Sequence, residues 1–235
     1  MLFERALAHD HDSVTAQSWL AIELAARALD TMTDTPVADI ARAGDLAERA
    51  LGAAPRSSIA HFAKAQVLRA QHRLEEAIPE YETVIALNRN WAHAYSHLGW
   101  CKSMTGSIEA LIPAQEQAIR ISPRDPQIGL FYSRIGRAHL LRSSLDEAIV
   151  WCEKARNATP AAAIFRSFLA SAYALKGELE RAADELFEAR SLVGGDRYAS
   201  IAQLRAAEPW GVSKIRALFE NTYFAGLRKA GMPEE

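Results

Sequence analysis

The sequence predicts an all-α protein: a right-handed solenoid of stacked helical hairpins, closed by a C-terminal capping helix. Three observations carry this. A helix-like phrase recurs in LEEAIPEYETVIALN (74–88), IEALIPAQEQAIRISP (108–123), LDEAIVWCEKARNATP (145–160) and LERAADELFEARSLV (179–193). Units anchored on these phrases start at Ser58, Ala92, Gly129 and Ala163, spaced by 34, 37 and 34 residues. Turn residues punctuate each unit: Gly106 and Gly177 between its two helices, Pro123 and Pro160 after the second.

A two-helix unit with this period resembles the tetratricopeptide repeat (TPR). In the first helix a large residue at repeat position 4 precedes an apolar and a small one at positions 7 and 8, as in Tyr95, Leu98, Gly99 and in Tyr132, Ile135, Gly136. In the last repeat Arg166 replaces the large position 4 residue, ahead of Leu169 and Ala170. Small residues at positions 8, 20 and 27 let the helices approach, and large apolar residues fill the space between them. One hairpin cannot bury both faces, so neighbours must stack. Repeats are read over 58–91, 92–125, 129–162 and 163–196, and an earlier one over 14–57 with an inter-helix insertion at about 30–40.

Several positions depart from the pattern. His61 and Lys64 occupy positions 4 and 7, where apolar residues are expected, and Leu111 occupies small position 20. Pro79 and Pro113 fall inside second helices and predict a late helix start or a mild kink. Residues 1–13 match a second helix without its partner, which reads as a truncated repeat of a longer protein or as an N-terminal cap. From 197 to 235 the repeat is lost. A short helix is expected before Pro209, then an amphipathic helix with Val212, Ile215, Leu218, Phe219 and Tyr223 on one stripe, then a polar tail. That helix is expected to cover the open apolar face of the last repeat.

Composition narrows the function. Lys and Arg number 27 against 29 Asp and Glu, a net charge of −2, which argues against nucleic-acid binding and a polybasic membrane surface. No apolar run is long enough for membrane insertion and no secretory signal is read, so a cytoplasmic location is expected. No phosphate-cradling or nucleophile motif is found, so no enzyme activity and no cofactor are expected, and Gly194–Gly195 reads as a turn. His93 with His97, and the HDHD run at 9–12, lack converging third ligands, so no metal is expected. His61 and His139 are read as core residues pointing inward, and Cys101 and Cys152 as packing residues.

The TPR resemblance implies a concave groove lined by first helices, where a protein or peptide partner docks. Its groove positions map onto Phe62, Gln66 and Arg69, then His93, Ser96, Trp100 and Met104, then Ser133, Arg137 and Leu141, then Ser167 and Ser171. Trp100, Phe62 and Arg137 stand out, since aromatic and Arg side chains dominate interface energetics. The Lys and Asn of the carboxylate clamp that some TPR domains use are absent, because its positions read Phe62/Gln66, Ser96/Trp100, Ser133/Arg137 and Ser167/Ser171.

The phrases EEAIPEYETVIALNRNW (75–91), GLFYSRIGRAHLL (129–141) and TYFAGLRKAGMPEE (222–235) resemble the C-terminal TPR region of bacterial multidomain signalling proteins. There the repeats follow a class III adenylate/guanylate cyclase domain or a winged-helix domain. The resemblance implies a module that regulates or localises an upstream domain of the same polypeptide. Two other readings stand beside it: a small-molecule sensor built on His61, Lys64 and His139, and a homodimerisation module.

Overall fold

The computed structural model describes residues 2–30, 32–192, 198–207 and 210–235, and among them there are helices and turns but no strand. Gly194, Gly195 and Pro209, which the sequence assigns to turns, lie outside the described residues. Contacts divide the chain into two units, residues 1–101 and 102–235.

Unit 1 holds α1 (Leu2–His9), α2 (Val14–Leu29), α3 (Pro36–Ala53), α4 (Ser58–Ala70), α5 (Leu74–Leu87) and most of α6 (Ala92–Met104). Helix α4 is apolar on two sides because it is shared between two cores. Ala63, Val67 and Ala70 pack with Leu20, Leu24, Ala43, Leu46 and Ala47 of α2 and α3. Phe62, Ala65 and Leu68 pack with Ala77, Tyr81 and Val84 of α5 and with Ala94 and Cys101 of α6. Alanine recurs at these contacts because close approach of backbones leaves no room for more. Helix α1 adds Phe3 and Leu7 to the first core, stacks Phe3 on Trp19 at 6.2 Å, and joins Glu4 to Arg42 by two bonds of 2.7 Å.

Unit 2 holds α7 (Leu111–Ile121), α8 (Ile128–Leu141), α9 (Leu145–Ala158), α10 (Ala163–Lys176), α11 (Leu179–Leu192), α12 (Ile201–Ala207), α13 (Ser213–Phe219) and α14 (Ala225–Lys229). Its hairpins are α8 with α9 and α10 with α11. Between the first and second helices of successive hairpins the chain turns through a left-handed residue: His72 (φ 59°), Gly106 (φ 120°), Ser143 (φ 59°) and Gly177 (φ 92°). All four stand at repeat position 15, and two of them carry a Cβ where glycine fits without strain.

Three sequence expectations are corrected by the structure, and that for Pro113 holds. The insertion expected at about 30–40 is shorter, since α3 starts at Pro36, whose missing N–H costs nothing in a first turn. Pro113 does delay its helix: a 3₁₀ turn, Ile108–Ala110, precedes α7, and Pro113 sits in the first turn of α7. Pro79 does not delay its helix. Helix α5 runs through it from Leu74, and both Pro79 and Glu75, whose carbonyl loses its donor, face solvent. The C-terminal amphipathic helix is broken by a π-helical turn, Glu220–Phe224, between α13 and α14. Ile215, Phe219, Tyr223, Phe224 and Leu227 are buried, while Val212, at the N-cap of α13, is exposed.

Replacing His72 or Ser143 by Gly is expected to raise stability by about 1 kcal/mol, because both side chains are exposed and only backbone strain is relieved. The midpoint of urea unfolding measures this, and an unchanged or lower midpoint for both variants contradicts it.

Candidate functional site

The face expected to form the groove is made by α4 and α6 in unit 1 and by α8 and α10 in unit 2. It behaves differently in the two units.

In unit 1 an aromatic floor fills the face. Phe62 stacks on Trp91 at 4.9 Å and meets Tyr81 edge-on at 5.8 Å. The His97 ring lies 6.0 Å from Phe62, 5.8 Å from Tyr81 and 6.1 Å from His93. Phe62, Gln66, Ser96 and His97 are buried, so Phe62 is part of the floor rather than an open anchor. Gln66 accepts a bond from the Tyr81 hydroxyl at 3.3 Å. Arg69, His93 and Trp100 remain half-buried above this floor, with Trp100 packed on the α4–α6 core. Arg69 Nη1 bonds His97 Nδ1 at 2.6 Å. His97 was not singled out by repeat position, and its i, i+4 spacing from His93 was the only signal pointing to it.

In unit 2 the same face is covered by the chain itself. Residues 220–229 lie along α10, with the π-helical turn also touching α8. Ser133, Leu141, Ser167 and Ser171 are buried, as is Met104, and Ser167 and Ser171 are bonded to this segment. The C-terminal segment thus covers the last repeat on the α10 side, as expected, while Phe187 on α11 stays 68% exposed. Tyr223 stacks on Phe168 at 4.2 Å, and its hydroxyl shares a 2.8 Å bond with Ser167 Oγ. Ser171 Oγ donates to the Tyr223 carbonyl at 3.0 Å. Gly226 permits the contact: a Cβ there would stand 2.5 Å from the Ser171 carbonyl oxygen. Arg137 lies over the Phe168 ring, 4.3 Å from its centroid, and is half-buried.

The cover is held down at its own edges. Trp210 is buried against Phe219, Tyr223 and Phe224, and its Nε1–H donates to the carbonyls of Leu204 and Arg205. The Val212 N–H donates to the Met104 carbonyl at 2.9 Å. The tail expected to be merely polar is docked: Met232 is buried, and Ile201 and Ala202 N–H groups donate to the carbonyls of Pro233 and Glu234. Bonds from Arg228 and Arg205 hold the Glu234 carboxyl down at about 2. Neither Trp210 nor this clamp was found by sequence, because both fall outside the repeat.

The other polar features resolve locally. His61 is bonded to Glu80 at 2.6 Å and to the Pro55 carbonyl, and Lys64 to Glu48 at 2.8 Å, so both members of the expected sensor cluster in unit 1 are taken up by their own neighbours. His139 is half-buried, and desolvation lowers its pKa. His11 of the HDHD run pairs with adjacent Asp12 at the surface, 3.0 Å away. Among the described residues no group of three or more His, Cys, Asp or Glu is placed to hold a metal ion. Cys101 and Cys152 are buried and unpaired with each other, and burial pushes the Cys152 thiol up to about 12, far from a reactive thiolate.

Comparison with known proteins agrees with this geometry. Residues 38–95 match the tetratricopeptide repeat family model. A comparison with curated proteins finds no match. Among solved structures, a thermophilic TPR protein of Thermus thermophilus superposes with a TM-score of 0.63 at 18% identity, covering 92% of this chain and 100% of the other. The pilF protein of Pseudomonas aeruginosa gives 0.64 at 15% identity, covering 92% and 98%. YrrB, a TPR protein with an unusual peptide-binding site, gives 0.53 at 17% identity, covering 88% and 97%. The fold is therefore that of a TPR-like all-α solenoid. Among the described residues no helix is long and apolar enough to cross a membrane.

Gly226→Ala is expected to destabilise the protein by about 1–3 kcal/mol, because Cβ must displace backbone rather than a mobile side-chain end. Chemical denaturation measures it, and a variant as stable as the parent contradicts the packing described.

Proposed function

We propose that this chain is a protein-interaction module. A peptide or helix docks non-covalently on the first-helix face of unit 1, where Arg69, His93 and Trp100 are reachable. One observation carries the reading: the equivalent face of unit 2 already accepts an amphipathic helical segment, seating Tyr223, Phe224 and Leu227. A face that binds one such segment has the apolar floor and backbone spacing to bind another. In unit 1 the half-buried Trp91, stacked on the buried Phe62, supplies the apolar side chain on this face. The similarity to a TPR protein with a peptide-binding site supports the reading at the level of fold.

We further propose that the module serves an upstream signalling domain of the same polypeptide in the cytoplasm, regulating or localising it, with an adenylate/guanylate cyclase as first choice. The support is the resemblance of residues 75–91, 129–141 and 222–235 to the repeat region of such proteins. The repeats at 14–57, 58–91, 92–125, 129–162 and 163–196 would act as one scaffold in this role.

Trp100→Ala is expected to weaken a captured partner by about 2 kcal/mol or more, the cost typical of an aromatic hot spot. Titration calorimetry with that partner measures it, and an unchanged affinity removes α6 from the binding surface. The second proposal is checked by the reading frame upstream of Leu2. An in-frame cyclase domain supports it, and an in-frame stop codon there counts against it.

A further inference from the structure

We propose that the unit 1 face is a receptor for an acidic peptide segment, with Arg69 as the group that takes the carboxylate. The inference rests on the interaction-module reading and specifies its ligand.

Arg69 lies in the last turn of α4 and is a cation. An arginine only donates, so His97 accepts at Nδ1 in the 2.6 Å bond between them. An accepting imidazole satisfies one N–H but brings no negative charge. Arg69 Nε is buried and has no hydrogen-bond partner among the described residues. The neighbouring cations differ. Lys64 pairs with Glu48 at 2.8 Å and Arg73 with Glu76 at 2.5 Å, whereas no described carboxylate pairs with Arg69.

A guanidinium that is half out of water and lacks a counter-ion is held at a cost. That cost is recovered when a carboxylate arrives, and the bond formed is of the charge-assisted kind. The surroundings define the rest of the ligand. Buried Phe62 lies 6.0 Å from the His97 ring and stacks on half-buried Trp91, so an apolar side chain stands near the charged group. The ligand is therefore an Asp or Glu side chain with an apolar neighbour, presented by a peptide. This differs from a Lys–Asn clamp, whose residues the chain lacks at the corresponding positions.

The test is selection of random dodecapeptides displayed on phage against the purified full chain, run in parallel on Arg69→Gln, Arg69→Lys and Trp100→Ala. Melting curves check that each variant is folded. The wild type is expected to enrich Asp and Glu beside apolar residues, Arg69→Lys to keep the acidic preference, and Arg69→Gln to lose it. A synthetic copy of the best peptide should bind about tenfold more weakly when its acid is changed to the amide, and its affinity should fall with added salt. If Arg69→Gln does not fold, the acid-to-amide peptide and the salt series decide. Enrichment without acids, dependent on Trp100 and indifferent to Arg69, overturns the acidic ligand but leaves the module reading intact. Selection that enriches no peptide overturns both.

Discussion

Every helix in this protein is constrained by one fact: a two-helix hairpin of this length has more apolar surface than it can bury by itself. The remainder must be covered by another element, and the structure is the record of how each remainder is covered. In unit 1 the answer is another hairpin, so α4 carries one apolar face for α2 and α3 and another for α5 and α6. Alanines at the crossing points set the spacing, because a larger residue would push the backbones apart and open voids that cost more than the added contact returns.

In unit 2 the answer is different. Helix α10 is buried at Phe165, Phe168, Leu169 and Tyr173, and also at Ser167 and Ser171, which a first helix would otherwise turn to solvent. The C-terminal segment supplies the missing layer. Polar atoms on that face are matched rather than merely hidden: Ser167 meets the Tyr223 hydroxyl and Ser171 meets the Tyr223 carbonyl within the π-helical turn. A buried hydroxyl without such a partner costs more than it gains. The same serines that suggested a polar groove are thus hydrogen-bonding sockets for an internal helix.

Much of the fold was legible because it repeats. Four phrases in register place the hairpins, and position 15 marks the turn even where His72 or Ser143 stands in place of glycine. The site was only partly legible. Arg69, His93 and Trp100 are half-buried, whereas Phe62 is buried, since a large aromatic at that position sinks between Trp91 and Tyr81. The burial of Ser167 and Ser171 involves residues some tens of positions away, in a segment with no period to read. The π-helical turn has no sequence mark either, and it decides which aromatic side chains face α10. Trp210 was silent for the same reason: its role comes from a fold-back that only tertiary structure reveals.

The cover on α10 also has a kinetic meaning. Hairpins form between residues close in sequence, and such contacts assemble fast because little loop entropy is lost. The bond between Ser167 and Tyr223 joins residues 56 apart, and that between Ser171 and the Tyr223 carbonyl residues 52 apart. Unit 2 therefore has a local stage and a long-range stage. Until the second is complete, the Phe168 ring lacks the Tyr223 ring that stacks on it, and any apolar segment nearby competes for that place.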